Sequence, residues 1–197
     1  MIENLLQADQ ELLIFLNGFH SPFFDVLMWQ MTKLLFWLPV LGLVSWFLWR
    51  HYRKKIVLIL IFCVLSIALS DQTSGFIKKK TERLRPSHNT EISHRLHLHV
   101  FENGDVYKGG KYGFVSAHAA NSFSLTLLLI YFFKPINKRL RWLFLLCPLI
   151  FSYTRIYLGV HYPTDILFGA LLGLCCGGFM IGGYKIVEKW KKIINQH

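Results

Sequence analysis

The sequence predicts an all-α polytopic membrane bundle of about five spans, formed by one domain over residues 1–197. Three observations predict it. The chain is 53% hydrophobic and only 17% charged, with a mean hydropathy of +0.38, a balance rare in soluble domains of this size. Its apolar residues fall in blocks that approach the roughly 20 residues needed to cross a bilayer. Its Lys and Arg gather in alternate connections between those blocks, which marks one side of a membrane.

The elements follow in order along the chain. MIENLLQADQELL has no basic segment and no Ala-x-Ala site, so a cleavable signal peptide is not expected. In residues 1–20, Ile2, Leu5, Leu6, Leu12, Leu13, Phe15 and Leu16 alternate with Glu3, Asp9 and Glu11. That pattern gives an amphipathic helix ending at Asn17-Gly18, lying on the membrane or packed on the spans. The spans are expected at about Val26–Trp49, Ile56–Ile77, Ser116–Phe133, Trp142–Tyr157 and Ile166–Val187. Lys33, Pro39 and Asp71 interrupt the first two. The fifth carries Gly169, Gly173 and Gly177, glycines four apart that share one helix face and admit a neighbouring backbone. Cys63, Cys147, Cys175 and Cys176 all lie inside apolar blocks, without metal spacing, and read as small core residues.

Charge orients the bundle. Arg50, Arg53, Lys54 and Lys55, then Lys134, Lys138, Arg139 and Arg141, then Lys185 to Lys192 mark three connections as inside. The tail, residues 185–197, is therefore cytoplasmic, and the membrane is expected to be the plasma (inner) membrane. The loop 78–115 and the turn around residues 155–164 face the outer, periplasmic side. That loop carries eight Lys or Arg of its own, against the charge rule. The net charge of +11 thus divides between an anionic membrane surface and an anion site, and no nucleic acid is needed to account for it.

Three polar clusters share the outer boundary, where charged groups are expensive and suggest function. They are Lys78-x6-Arg85-Pro86, Ser116-Ala117-His118 and Arg155-x5-His161-x3-Asp165. Lys78, Arg85 and Arg155 suit phosphate oxygens. Ser116 fits an N-cap, freeing the first amides of a helix for an anion, and Pro163 fits the first turn of another helix. The two histidines supply acid, base or nucleophile. Asp165, one helical turn after His161, can fix its tautomer.

These clusters resemble the motif set of the type 2 phosphatidic acid phosphatase (PAP2) superfamily, K-x6-RP, PSGH and SR-x5-H-x3-D. Val115 and Ala117 replace proline and glycine in the second motif, and Thr154 replaces the serine of the third. The resemblance implies a PAP2/haloperoxidase-like fold and metal-independent hydrolysis of a lipid phosphomonoester or diphosphate, with no cofactor. It implies that His161 is the nucleophile of a phosphohistidine intermediate, Asp165 its orienting partner, and His118 the acid and then base. It implies that Lys78, Arg85, Ser116, Ala117 and Arg155 hold the phosphoryl group. Candidate substrates are undecaprenyl diphosphate, phosphatidylglycerol phosphate and the lipid A phosphates. Transfer to a second lipid is the alternative reaction, and an anionic lipid or phosphate transporter the alternative class. Soluble haloperoxidase relatives bind vanadate at the same residues, and the spans argue against that activity. The partners expected are the lipid phosphate substrate and membrane lipids.

Two features stand outside this set. Asp71 lies seven residues before Lys78 on the same helix face and is expected to orient Lys78 or pair with Lys33, the latter as structure. His88, His94, His97 and His99 invite a zinc reading, but no cysteine is available as a further ligand. Headgroup contact or solvation is expected of them.

Overall fold

A computed structural model of the chain describes residues 2–194. It is helical, with seven α-helices among the described residues: α1 (Ile2–Asn17), α2 (Pro22–Met31), α3 (Leu34–Tyr52), α4 (Ile56–Thr81), α5 (Ala117–Phe133), α6 (Leu146–Tyr157) and α7 (Pro163–Ile194). Two stretches are long and apolar enough to cross a membrane, residues 34–81 and 163–194. A third exists if α1 and α2, bent by 113° to one another, are taken together. α5 and α6 are shorter, and α6 is lengthened by a 3-10 turn over Leu140–Leu145. The exposed surface is rich in Leu, Val, Ile, Phe and Trp along these helices, as a bilayer requires.

The first expected span is divided. Its apolar block breaks at Thr32-Lys33, so residues 22–31 form the separate helix α2 and the long apolar run starts at Leu34. Ser21 caps α2 and Pro22 opens it, signals that outweigh the continuity of the apolar run. α3 and α4 meet at a 3-10 turn over Arg53–Lys55. Val44 and Leu48 share one core with Ile59, Phe62 and Cys63, so α4 folds back on α3. α7 runs on through the expected tail to Ile194, and residues 195–197 lie outside those described.

α5 is the central helix, packed along α7 and flanked by α4 and α6. The glycine stripe explains the closest of these contacts. A Cβ on Gly169, Gly173 or Gly177 would meet the backbone oxygen of Ser116, Ala120 or Ser124, in each case at 2.8 Å or less. Both stripes advance by four residues, so small residues face each other in register, and the stripe serves packing inside the bundle. This register also sets the end of the bundle that carries the polar clusters. Four residues before Gly169 stands Asp165, whose carbonyl accepts the Ser116 N–H at 2.9 Å.

Polar side chains join α4 to α5 across the bundle. The Ser66 and Ser124 hydroxyls are 2.5 Å apart, and Ser70 donates to Asn121 Oδ1 at 2.8 Å. Asp71 accepts from Asn121 Nδ2 at 3.2 Å, which corrects the expected pairing with Lys33. Lys33 instead lies over the Trp29 ring at 5.5 Å.

Candidate active site

The three clusters are built from different local signals. α4 ends at Glu82, whose left-handed conformation (φ 49) turns the chain out of the helix just after Lys78. The chain then runs extended through Arg83, Leu84 and Arg85. It is clamped to the far end of the same loop by Gly113 N–H to Arg83 O (2.9 Å) and Arg85 N–H to Lys111 O (3.1 Å). The loop thus returns its arginines to the start of α5. There Ser116 caps the helix, its buried hydroxyl accepting the Ala119 N–H at 3.4 Å. The first-turn amides of Ala117 and His118 have no carbonyl one turn earlier in the helix to reach.

The third cluster spans a helix end. α6 stops in a Schellman motif, with Val160 N–H bonded to Arg155 O (3.0 Å) and Gly159 N–H to Ile156 O (2.9 Å). Gly159 at φ 63 makes that turn, which glycine adopts without penalty. His161 follows at once, and Pro163 starts α7. Asp165 therefore sits in the first turn of α7, with Oδ2 3.3 Å from His161 Nδ1 and accepting the Tyr162 N–H at 3.1 Å.

Together these elements bring every site residue expected from sequence to one end of the bundle. His161 and Asp165 are fully buried, and Arg155 nearly so. Arg155 Nη1 donates to His118 Nε2 at 3.0 Å, and the His118 ring lies tilted on Phe151. Arg155 Nε and Nη2 and His161 Nε2 have no hydrogen-bond partner among the described residues. Burial, followed by the charges of Arg85, Lys78 and Arg155, holds the His161 imidazole well below its ordinary 6.5. A neutral ring with its outer nitrogen free faces three cations. Such a site can bind a phosphoryl group and attack it.

Sequence reasoning missed two charged residues here. Arg83 Nη1 donates to Asp165 Oδ1 at 2.9 Å and to Thr164 Oγ1 at 2.8 Å, while its Nη2 donates to Asp9 Oδ2 at 2.7 Å. Arg83 stands two residues before Arg85 in extended backbone, so both side chains leave the same face, and that spacing was the available signal. Asp9 carried none, because its partners lie more than 70 positions away.

The loop histidines tie the loop to the N-terminal helices. His97 Nε2 is 2.8 Å from Asp25 Oδ1, and its ring stacks on His20 at 3.8 Å. His99 stacks on Trp29 at 4.1 Å.

Beside His118 runs a groove of about 380 Å³ between α3, α4, α5 and α6. Trp37, Leu41 and Phe151 line its apolar length, and His118, Asn121 and Asp71 supply polar groups.

Comparison with known proteins identifies the family. The family model of the PAP2 superfamily matches residues 59–186. A lipid A 4'-phosphatase of Bacteroides thetaiotaomicron is 38% identical over 179 residues, covering 88% of this chain and 75% of that protein. A lipid A 4'-phosphatase of Porphyromonas gingivalis is 32% identical over 189 residues, covering 94% and 75%. The crystal structure of Aquifex aeolicus LpxE superposes with a TM-score of 0.65 at 24% identity, over 87% of this chain and 93% of that one. That last likeness is one of fold.

Proposed function

The chain belongs to the PAP2 superfamily of membrane phosphatases, and from that premise we propose that it dephosphorylates a sugar-borne lipid phosphate through a phosphohistidine at His161. One observation carries the reading. His161 Nε2 and two guanidinium nitrogens of Arg155 are buried without partners among the described residues, beside Lys78 and Arg85. Leaving such groups unmatched costs about 1–3 kcal/mol each, more when charged. Phosphoryl oxygens, which accept several donors, match the three cations.

The reaction runs in two displacements. His161 Nε2 attacks phosphorus, the bond from phosphorus to the lipid oxygen breaks, and that oxygen takes a proton from His118. Asp165 accepts the His161 Nδ1–H throughout, keeping Nε2 the nucleophile and stabilising the imidazolium formed. Water then attacks phosphorus, giving its proton to His118, and the P–N bond breaks to release phosphate and neutral His161. Lys78, Arg85, Arg155, the Ser116 hydroxyl and the Ala117 amide hold the phosphoryl oxygens. In the resting arrangement Arg155 donates to His118 Nε2. Turning that guanidinium to the phosphoryl group frees the His118 nitrogen to take the proton of the bound phosphate monoanion, which it then passes to the leaving oxygen. The cations carry the charge that a metal would otherwise meet, so the reaction is metal-independent.

Two observations favour a saccharolipid among the lipid phosphates. The relatives at 38% and 32% identity bear the name lipid A 4'-phosphatase. The groove beside His118, the leaving-group side, pairs Asp71 and Asn121 with an apolar floor, which suits an acylated sugar bearing hydroxyl and amide groups. We place the site at the outer face of the plasma membrane, with five crossings made by the run 34–52, α4, α5, α6 with its 3-10 extension, and α7. The inside charges of the connecting loops support this topology.

The test is phosphate release in detergent from lipid A, undecaprenyl diphosphate and phosphatidylglycerol phosphate, with and without EDTA. Release from lipid A above the others, kept with chelator and lost in His161→Ala, is expected. An active His161→Ala or an EDTA-sensitive wild type overturns the mechanism, and a preference for another lipid overturns the substrate.

A further inference from the structure

We propose that Asp9 and Arg83 are positioning residues for Asp165, which makes the N-terminal helix α1 a part of the active site. The inference rests on the phosphatase reading of that site. Asp9 lies outside the residues matched by the family model, 59–186.

The geometry divides the two oxygens of Asp165. Oδ1 accepts from Arg83 Nη1 at 2.9 Å, while Oδ2 accepts the Tyr162 N–H at 3.1 Å and faces His161 Nδ1 at 3.3 Å. A carboxylate pinned on one side presents a constant oxygen to the imidazole. Arg83 is itself held at three points. It donates to Thr164 Oγ1 and to Asp9 Oδ2, and its guanidinium lies over the Tyr162 ring at 4.2 Å.

Asp9 completes the arrangement from another helix. Its Oδ1 accepts the Thr164 N–H at 3.0 Å, and the Thr164 hydroxyl also meets Oδ2. It thereby caps the start of α7 with a negative charge, where helix N-termini favour one. Its side chain is 3% exposed and that of Asp165 0%, so both carboxylates compete for one guanidinium with little screening. One turn on, buried Leu13 packs with Ile92, Ile156 and Tyr162 and keeps α1 in place.

The competition has a consequence for the reaction. With Asp9 pulling on Nη2, Arg83 offers Asp165 only Nη1. Without that pull the fork is free to take both Asp165 oxygens, as guanidinium and carboxylate prefer. Oδ2 would then leave His161, and the nucleophile would lose its orientation.

The experiment uses the full chain in detergent with whichever lipid of the panel above it dephosphorylates fastest. Asp9→Asn is expected to lower kcat about 10-fold while KM stays within about twofold, because a misaligned reacting group slows chemistry more than binding. Glu11→Gln breaks the other ion pair of α1, to Arg95 at 3.1 Å, and is expected to leave both constants unchanged. Adding Asp9→Asn to Asp165→Asn should slow the residual rate no further, since residues acting through one group are not additive. A purely structural role would slow it again and lower the melting temperature in both backgrounds. If Asp9→Asn does not yield a monodisperse protein, Arg83→Lys, which keeps the charge and loses the fork, takes its place with the same expectation. Wild-type kcat in the variant, or an additive loss with Asp165→Asn, overturns the proposal while inactive His161→Ala upholds the parent reading. Activity in His161→Ala overturns both.

Discussion

At the scale of single residues, His161 is governed by what surrounds it. It has no solvent contact and stands near four cations, with burial and then Arg85, Lys78, Arg155 and Arg83 holding its ionisation well below 6.5. The ring is therefore neutral at physiological pH, as the proposed nucleophile must be. Unfolding returns it to an ordinary histidine, which binds a proton near 6.5. The unfolded chain thus takes up more protons than the folded one below that pH, and stability present above about 6.5 is lost as the pH falls through it. NMR of 15N-histidine-labelled protein, assigned by difference with His161→Ala, should show the His161 ring neutral at pH 5.5. A ring that titrates near 6.5 would contradict this burial. The sequence marked His161 and Asp165 through their four-residue spacing. It did not mark Arg83 or Asp9, whose roles arise from contacts between distant segments.

Among the elements, the pairing of α5 and α7 does most to build the site. Its small-residue register sets Ser116 against Asp165 and brings His118 to the end of the bundle that holds His161. A methyl at Gly173 would collide with the Ala120 carbonyl oxygen, whereas one at Gly178 meets open space. Gly173→Ala is therefore expected to cost about 1–3 kcal/mol through overpacking. Gly178→Ala should be neutral or slightly stabilising, since alanine favours the helix. Thermal unfolding in detergent compares the two, and equal melting temperatures would refute the register. The four-residue spacing of those glycines is legible as a packing face in the chain itself. The break between α2 and α3 is less so, because apolar residues continue on both sides of Thr32-Lys33 and a single charged residue can sit within a span.

For the whole molecule, the polar clusters gather at one end while basic connections occupy the other. In cells, cysteine at exposed Glu102, in a chain whose native cysteines are alanine, should react with a membrane-impermeant maleimide added outside. Cysteine at exposed Lys138 should react only after lysis. The opposite pattern would invert the proposed orientation and place the site on the cytoplasmic face.

The sequence by itself determined the membrane class, the helical content and the candidate site residues. Those follow from block hydropathy and from motifs whose residues are close in the chain, as in Lys78-x6-Arg85 and His161-x3-Asp165. Only the tertiary structure decided what steadies Asp165, where the groove beside His118 runs, and that Asp71 pairs with Asn121. Each of these depends on side chains from separate helices meeting in a low-dielectric interior. Such partners are chosen by packing register, and linear spacing carries no record of that choice.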